Sequence, residues 1–329
     1  MVTITDIAKR AGVAKSTVSR YLNGGSVSAK TREKIDKIVE ETGYTPNSFA
    51  RSLKAKKTNM LGVIIPRLDS ASSNEILTGI DRIAHKRGYQ LIITNADQQE
   101  KREIKNLQAL ANQKVEGIIF LAQGINHRHL ETIRSLPLPV LVLGQKAEEI
   151  HCIVHDDEGA GRKIGEYALS LGHRRFLFAG VSETDQAVGQ ERKNGFLSAV
   201  QNVQNCSVKF IEVAFSKEKA YQSALSFLPG MTETFVVCAT DNIALAVLKA
   251  AKELGLSVPE DFSLSGFGGY EATSFVSPSI TTINYPFRKL GELAVGELEQ
   301  LIKEKEVAVE MVLSNELAIK NSTSPLNKT

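Results

Sequence analysis

Residues 3–24 read TITDIAKRAGVAKSTVSRYLNG, and the single glycine between two apolar-periodic halves decides how the chain begins. Thr3 with Asp6 three residues on makes a capping pair, and Ile4, Ile7, Ala8 and Ala11 share one helical face. Gly12 ends that helix. After the tight Gly12-Val13 turn, Lys15 to Asn23 reads as a second helix with Val18 and Leu22 inward, stopped by Gly24 and Gly25. A third helix is expected from about Ala29 to Thr42, with Ser28 as cap, Ile35, Ile38 and Val39 as its buried stripe, and Gly43 as exit. Three short helices with a tight turn between the first two form a helix-turn-helix. Such a unit offers the N-terminal residues of its second helix to base edges in the major groove. Here those are Lys15, Ser16 and Thr17, with Ser19 and Arg20 one turn on. Arg20 suits the O6 and N7 of a guanine, and Thr17 a base edge or a thymine methyl. The competing reading is a generic three-helix bundle with a solvated polar face.

Working outward, charge favours the first reading. Residues 1–60 hold 12 Lys and Arg against 5 Asp and Glu, while the rest of the 329-residue chain holds 28 against 32. A basic head on a mildly acidic body is the footprint of nucleic-acid binding, because cationic side chains displace counterions condensed on phosphates. The chain is long enough for a large α/β core plus an accessory module. With 42% hydrophobic and 23% charged residues and no apolar run near eighteen, no membrane partner is expected. The N-terminus lacks the layout of a secretory signal, and three cysteines at unrelated spacing suggest no disulfide framework. Both point to the reducing cytoplasm.

From residue 61 on, apolar runs alternate with amphipathic stretches. The runs are 61–65, 90–94, 117–121, 140–143, 175–179, 210–214, 235–239 and 262–265, with helix-like segments at 74–87, 101–113, 158–171, 190–200, 217–227 and 241–254. Unbroken apolar strands alternating with helices predict doubly wound parallel sheets covered on both faces. About ten strands suit two lobes better than one. In such sheets ligands bind beyond the carboxyl ends of the strands. That rule selects Arg67, Asp69 and Ser70 after the first run, Gln145 after the fourth, Asp241 after Cys238-Ala239, and Gly268 after the last. Asp241 reads equally as a helix N-cap or a ligand contact.

The segments TITDIAKRAGVAKSTVSRYLNG, VSAKTREKI and GYTPNSFARSLKAKKT resemble, nearly position by position, the head of the LacI/GalR family of bacterial repressors. The resemblance implies a helix-turn-helix domain over 1–46 whose DNA contacts include Asn23. It implies a hinge over 47–58, where Asn47 caps a short helix, Leu53 is a wedge pressed into the minor groove, and Ala50 and Lys56 also face DNA. So short a helix is not stable alone, so ordering on DNA is expected. Ala14 departs from the family, which usually has Ser there as N-cap and phosphate contact.

The resemblance continues through the body, 59–329. It implies two similar lobes of the periplasmic sugar-binding type, about 59–157 with 288–316 and about 158–287 with 317–323, joined by crossings near 158, 287 and 317. Arg192 falls on the family's effector-contacting arginine, Phe287 on an aromatic that packs on the sugar in relatives or serves the core, and Tyr285 beside it on the same crossing. IPRLDSASSNEIL, VLGQ, HDDEGAG, CATDNIALA and GFGGYE are similar to the sucrose-type and trehalose-type branches. Those sense a disaccharide or its 6-phosphate. Arg67 is the natural phosphate partner by that resemblance, but Gln145 stands where the trehalose branch has a second arginine. Gly268 stands where most relatives have an aspartate, which implies room for a larger ligand.

Other chemistries are weakly signalled. The glycines of LSGFGGYE (264–271) lack the Lys-Ser/Thr of a phosphate loop, and Gly159 to Gly165 is one residue too long for G-x-G-x-x-G. His127, His129, His151, Cys152 and His155 lack the paired spacing of a zinc site and read as loop histidines, with Asp156-Asp157 a lobe-crossing acidic cap. Ser216-Lys-Glu-Lys219 has no partner motifs. No catalytic pair, metal or cofactor is expected. The sequence therefore predicts a homodimeric, operator-binding repressor released by a sugar or sugar phosphate, and its tail lacks the leucine heptads of tetrameric relatives. A regulator of the same type that senses another small molecule or uses a co-repressor protein is the alternative; a transport-type sugar-binding protein or a sugar enzyme is disfavoured.

Overall fold

The computed structural model describes residues 2–22, 24–44, 58–146 and 149–326. The chain divides into two compact units, Met1–Asn59 and Met60–Thr329. Of the first unit's expected DNA contacts, Asn23, Asn47, Ala50, Leu53 and Lys56 lie outside the described residues, as does nearly all of the expected hinge.

The head contains α1 (Ile4–Ala11), α2 (Lys15–Leu22) and α3 (Ala29–Thr42). At α1 both halves of the capping box form: Asp6 N–H donates to Thr3 Oγ1 at 3.3 Å, and Thr3 N–H to Asp6 Oδ2 at 2.9 Å. Gly12 closes it at φ 64°, and Gly43 closes α3 at φ 59°, the left-handed conformation that glycine adopts without strain. Ile7, Ala8, Ala11, Val18 and Ile35 form the buried core, with Ile4, Val13, Leu22, Ile38 and Val39 packed around it. Tyr21 bonds Asp36 and lies under the Arg32 guanidinium, tying α2 to α3. The Ala14 carbonyl accepts from Thr17 N–H at 2.9 Å, so the backbone at 14 starts α2 while its methyl side chain caps nothing. Ala14→Ser should add about 0.5–2 kcal/mol of helix stability, read as slower amide hydrogen exchange of α2 in the intact protein.

The body is built on two six-stranded sheets. The first has the order β11-β5-β4-β3-β1-β2, from β1 (Met60–Ile65), β2 (Gln90–Asn95), β3 (Gly117–Leu121), β4 (Val140–Leu143), β5 (Cys152–His155) and β11 (Glu310–Leu313), all parallel. The second runs β12-β10-β9-β8-β6-β7, from β6 (Arg175–Gly180), β7 (Ser207–Glu212), β8 (Phe235–Cys238), β9 (Ser263–Gly268), β10 (Thr281–Asn284) and β12 (Glu316–Ala318). Only the three-residue β12 is antiparallel, against β10. The first five strands of each sheet follow one order, so each lobe is the same doubly wound unit. The chain passes from the first sheet to the second between β5 and β6, returns after β10, and leaves again between β11 and β12.

Helices α4 (Ala71–Lys86), α5 (Glu100–Asn112), α6 (His127–Ser135) and α11 (Phe287–Ile302) cover the first sheet, and α7 (Asp157–Ser170), α8 (Arg192–Val200), α9 (Lys217–Phe227) and α10 (Asp241–Glu253) the second. Among the described residues there are twelve strands where periodicity suggested about ten. The four that carried no apolar-run signal, β5, β10, β11 and β12, are three or four residues long and hold His155, Thr281-Thr282, Glu310 and Glu316. β7 begins three residues before its apolar run: at this sheet edge four of its six side chains are exposed and none is fully buried, so its first half carries no apolar signal. Small residues set helix spacing: a Cβ on Gly79 of α4 would lie 2.1 Å from the Arg288 carbonyl of α11, and one on Gly161 of α7 would lie 2.0 Å from the Arg192 carbonyl. Gly161 and Gly165 are thus packing residues against α8, while Gly159 leaves room for the Asp156 cap carboxylate.

Candidate functional sites

On the head, α2 presents Lys15, Ser16 and Arg20 to solvent, with Thr17 and Ser19 half-buried. Gly25 N–H donates to the Arg20 carbonyl at 2.8 Å, and a Cβ at 25 would lie 2.6 Å from Arg20 Cγ, so this glycine lets the chain fold back along the arginine stem. The charges sit on the outer face, where a phosphate or base edge can reach them.

The body's site is a cleft between its sheets. It encloses about 860 Å3 of space, the open solvent at its mouth included. Its walls are the carboxyl ends of strands from both lobes: Arg67 and Ser70 beyond β1, Gln123 beyond β3, Gln145 beyond β4, His155 at the end of β5 with Asp157 just after it, Asp185 beyond β6, and Thr240 beyond β8. Such ends converge at the point where strand order reverses. The duplicated lobe turns two such points toward each other.

Arg192 is the buried centre. A wide π turn, Gln186–Glu191, precedes α8 and delivers this residue inward. Its Nε donates to Asp157 Oδ1 at 2.7 Å and its Nη1 to the Ala239 carbonyl at 2.7 Å, while the Tyr285 ring lies 4.8 Å and the Phe267 ring 5.3 Å from its guanidinium carbon. Tyr285 Oη donates to the same Asp157 oxygen at 2.7 Å. Although burial opposes its charge, neighbouring Tyr285 and Asp157 hold Arg192 above its ordinary range.

Two contacts join the lobes across the cleft. Gln145 Nε2 donates to Asp185 Oδ1 at 3.1 Å, and the Arg67 guanidinium carbon lies 5.1 Å from the centre of the Phe215 ring. Asp185 also accepts from Val188 N–H at 3.0 Å, yet burial pushes its carboxyl up to about 6. His155 packs against Tyr285 and Phe287 at 4.8 and 5.3 Å between ring centres, and burial pushes its imidazole down to about 4.

Of the residues selected from sequence, Arg67, Ser70, Gln145, Arg192 and Phe287 line this cleft. Four do not, each for a physical reason. Asp69 is exposed and stands 3.7 Å from Arg67 Nε. Asp241 is buried beneath the site, its oxygens accepting from Thr282 Oγ1 at 2.6 Å and Tyr270 N–H at 2.7 Å. It is not the helix cap either, because Thr240 takes that role by accepting from Ile243 N–H. Tyr285 lies behind Arg192. Gly268 opens no room: at φ 143°, a Cβ there would lie 2.7 Å from Tyr270 Cε1, so the Tyr270 ring fills the space. His155, Asp157 and Asp185 were missed as contacts. Their signal was position after apolar strands, obscured by the shortness of β5 and by the four residues between β6 and Asp185. His129 is likewise no loop histidine: it sits in the first turn of α6, buried 2.9 Å from Glu103. Among the described residues no cluster of three or more candidate ligands could hold a metal, and no helix is long and apolar enough to cross a membrane.

A helix-turn-helix head joined to a two-lobed α/β body with an interlobe cleft defines a DNA-binding regulator with a sensor domain, not an enzyme. Residues 3–47 match the bacterial regulatory proteins of the lacI family and residues 166–323 a periplasmic binding protein-like domain. The chain is 38% identical to a sucrose operon repressor of Staphylococcus xylosus, across 98% of this chain and all of that one. It is 32% identical to the HTH-type transcriptional regulator DegA of Bacillus subtilis, across 99% of each. Among solved structures, a lac repressor dimer bound to operator and the anti-inducer ONPF is similar at 28% identity, with a TM-score of 0.90 over 98% of this chain and 99% of that one. The chain belongs to the lacI family of bacterial regulatory proteins.

Proposed function

We propose that this protein is a cytoplasmic, homodimeric repressor of a carbohydrate-utilisation operon, released from a pseudo-palindromic operator by a small carbohydrate in the interlobe cleft. The observation that carries the reading is the cleft itself: amides, hydroxyls and carboxylates interleaved with the rings of Phe215, Tyr270 and Phe287, the mixture that sugar hydroxyls and sugar C–H faces require. The full-length likeness to a sucrose operon repressor supports a carbohydrate effector. Exposed Ile93 beside Leu77 and Leu91 supplies an apolar edge suited to a second copy, and paired heads read a pseudo-palindrome. In this reading Lys15, Ser16, Thr17, Ser19, Arg20 and Asn23 serve the major groove, and Asn47, Ala50, Leu53 and Lys56 serve the hinge. Arg67, Ser70, Gln145, Arg192 and Phe287 serve the effector.

Release requires that the effector bind the lobe arrangement of the DNA-free state better than that of the operator-bound state, since equal affinity shifts nothing. The deciding experiment is competition between the upstream DNA of the protein's own gene and a scrambled duplex at physiological salt, with and without added sugars. A preference for the first that a sugar abolishes is expected; equal affinity for both duplexes sinks the reading.

A further inference from the structure

The cleft holds buried polar atoms that the protein itself leaves without partners. Gln145 Oε1, His155 Nδ1 and His155 Nε2 are buried side-chain atoms without a partner, carried by two residues that line it. An unpaired buried polar group is costly, so three such atoms on two residues of one cavity wall mark groups poised to pair with something that enters. All three belong to uncharged groups, because the imidazole, pushed down to about 4 by burial, is neutral at physiological pH. A neutral imidazole offers one donor and one acceptor, and an amide oxygen offers an acceptor. That complement matches hydroxyl groups, which donate and accept.

The charges of the cleft are already balanced. Arg67 and Arg192 stand against Asp157 and Asp185. Arg192 is committed to Asp157 and the Ala239 carbonyl, and Arg67 lies over the Phe215 ring with Asp69 beside it. A phosphate dianion would enter a cleft with no uncompensated cation and with Asp185 desolvated close by, and burying a charge without a partner is strongly unfavourable. Resting on the carbohydrate reading above, we propose that the cleft selects an uncharged sugar over its phosphate ester, with His155 and Gln145 as specificity residues that each pair with a ligand hydroxyl.

The test is titration calorimetry of the intact protein at pH 7.5 with sucrose, ribose, trehalose, maltose and cellobiose, with the 6-phosphates of sucrose and trehalose, and with inorganic phosphate. A neutral sugar is expected to bind at least tenfold more tightly than its 6-phosphate, and phosphate alone not at all. A 6-phosphate that binds as tightly as its parent sugar, or that binds when no neutral sugar does, overturns the proposal while leaving the carbohydrate reading standing. Heatless titrations throughout would remove both. Two variants separate recognition from folding. His155→Phe deletes the two orphaned nitrogens, so its thermal midpoint should be no lower than the parent's while sugar affinity drops tenfold or more; unchanged affinity overturns the role of His155. Gln145→Arg adds the missing cation and should move preference at least tenfold toward the 6-phosphate, a gain that misfolding cannot imitate; an unmoved preference counts against the charge-balance argument.

Discussion

Alanine in place of Arg192 is expected to lower the stability of the body by about 3–5 kcal/mol, the usual cost of removing one partner from a buried ion pair. The side chain is buried, and its loss strands Asp157, itself buried, with only Tyr285 Oη and solvent-poor space around it. It also frees the Ala239 carbonyl and leaves a void between the Tyr285 and Phe267 rings. Urea unfolding followed by fluorescence or circular dichroism reads this as a lower midpoint at similar slope. A loss under about 1 kcal/mol would mean that the pair behaves as a solvated one. Induction by sugar should disappear with it, but that alone is ambiguous because of the lost stability. The sharper comparison is a variant that replaces Arg192 and Asp157 together by apolar residues of similar volume. Exchanging a whole buried pair this way is often neutral or stabilising, so such a protein should recover stability and still fail to respond to sugar.

The second large effect belongs to the head. Ile35→Ala should cost about 2–5 kcal/mol, as truncation of a fully buried aliphatic does. Among the described residues the head's buried core holds five side chains, of which Ile35 is one of the two isoleucines, and small domains have little stability to spare. The expected result is a melted head on an intact body: operator binding is lost, while sugar binding measured by calorimetry stays at the parental value. Simultaneous loss of sugar binding would show that the two units do not fold independently. Ser16→Ala, which touches no core residue, provides the contrast, because it should leave the head folded while weakening DNA contact.

The head was legible because everything that forms it is local. The Thr3/Asp6 box, the left-handed Gly12 and Gly43, and the i, i+3, i+4 spacing of Ile4, Ile7, Ala8 and Ala11 act within a few residues of one another, and all are readable as written. The long apolar runs of β1, β3, β4 and β8 were legible for a similar reason, since strands buried on both faces must be continuously apolar. Strands at sheet ends and lobe crossings were not, because β5, β10, β11 and β12 are short and borrow their stability from neighbours distant in sequence, such as Glu310 beside Cys152 and Ala318 beside Thr282.

The cleft divides along the same line. That polar residues just beyond strand ends would face a ligand follows from α/β topology, and Arg67, Ser70 and Gln145 could be selected on that ground alone. Which of the other candidates reach the cavity was decided by packing. Asp241 follows β8 as those three follow theirs, and Gly268 ends β9. However, Tyr270 folds back over both, its backbone N–H taking one Asp241 oxygen and its ring filling the space beside Gly268. Asp185 and His155 join the site from the opposite lobe and from a crossing, as neighbours of Gln145 and Phe287 that sequence distance hides. By itself, then, the sequence determined the class of protein, the longer strands and helices of the body and the basic head, because capping, periodicity and charge are properties of short stretches. Only the tertiary structure decided which polar atoms are left unpaired in the cleft, because burial and hydrogen-bond satisfaction depend on residues brought together from across the whole body.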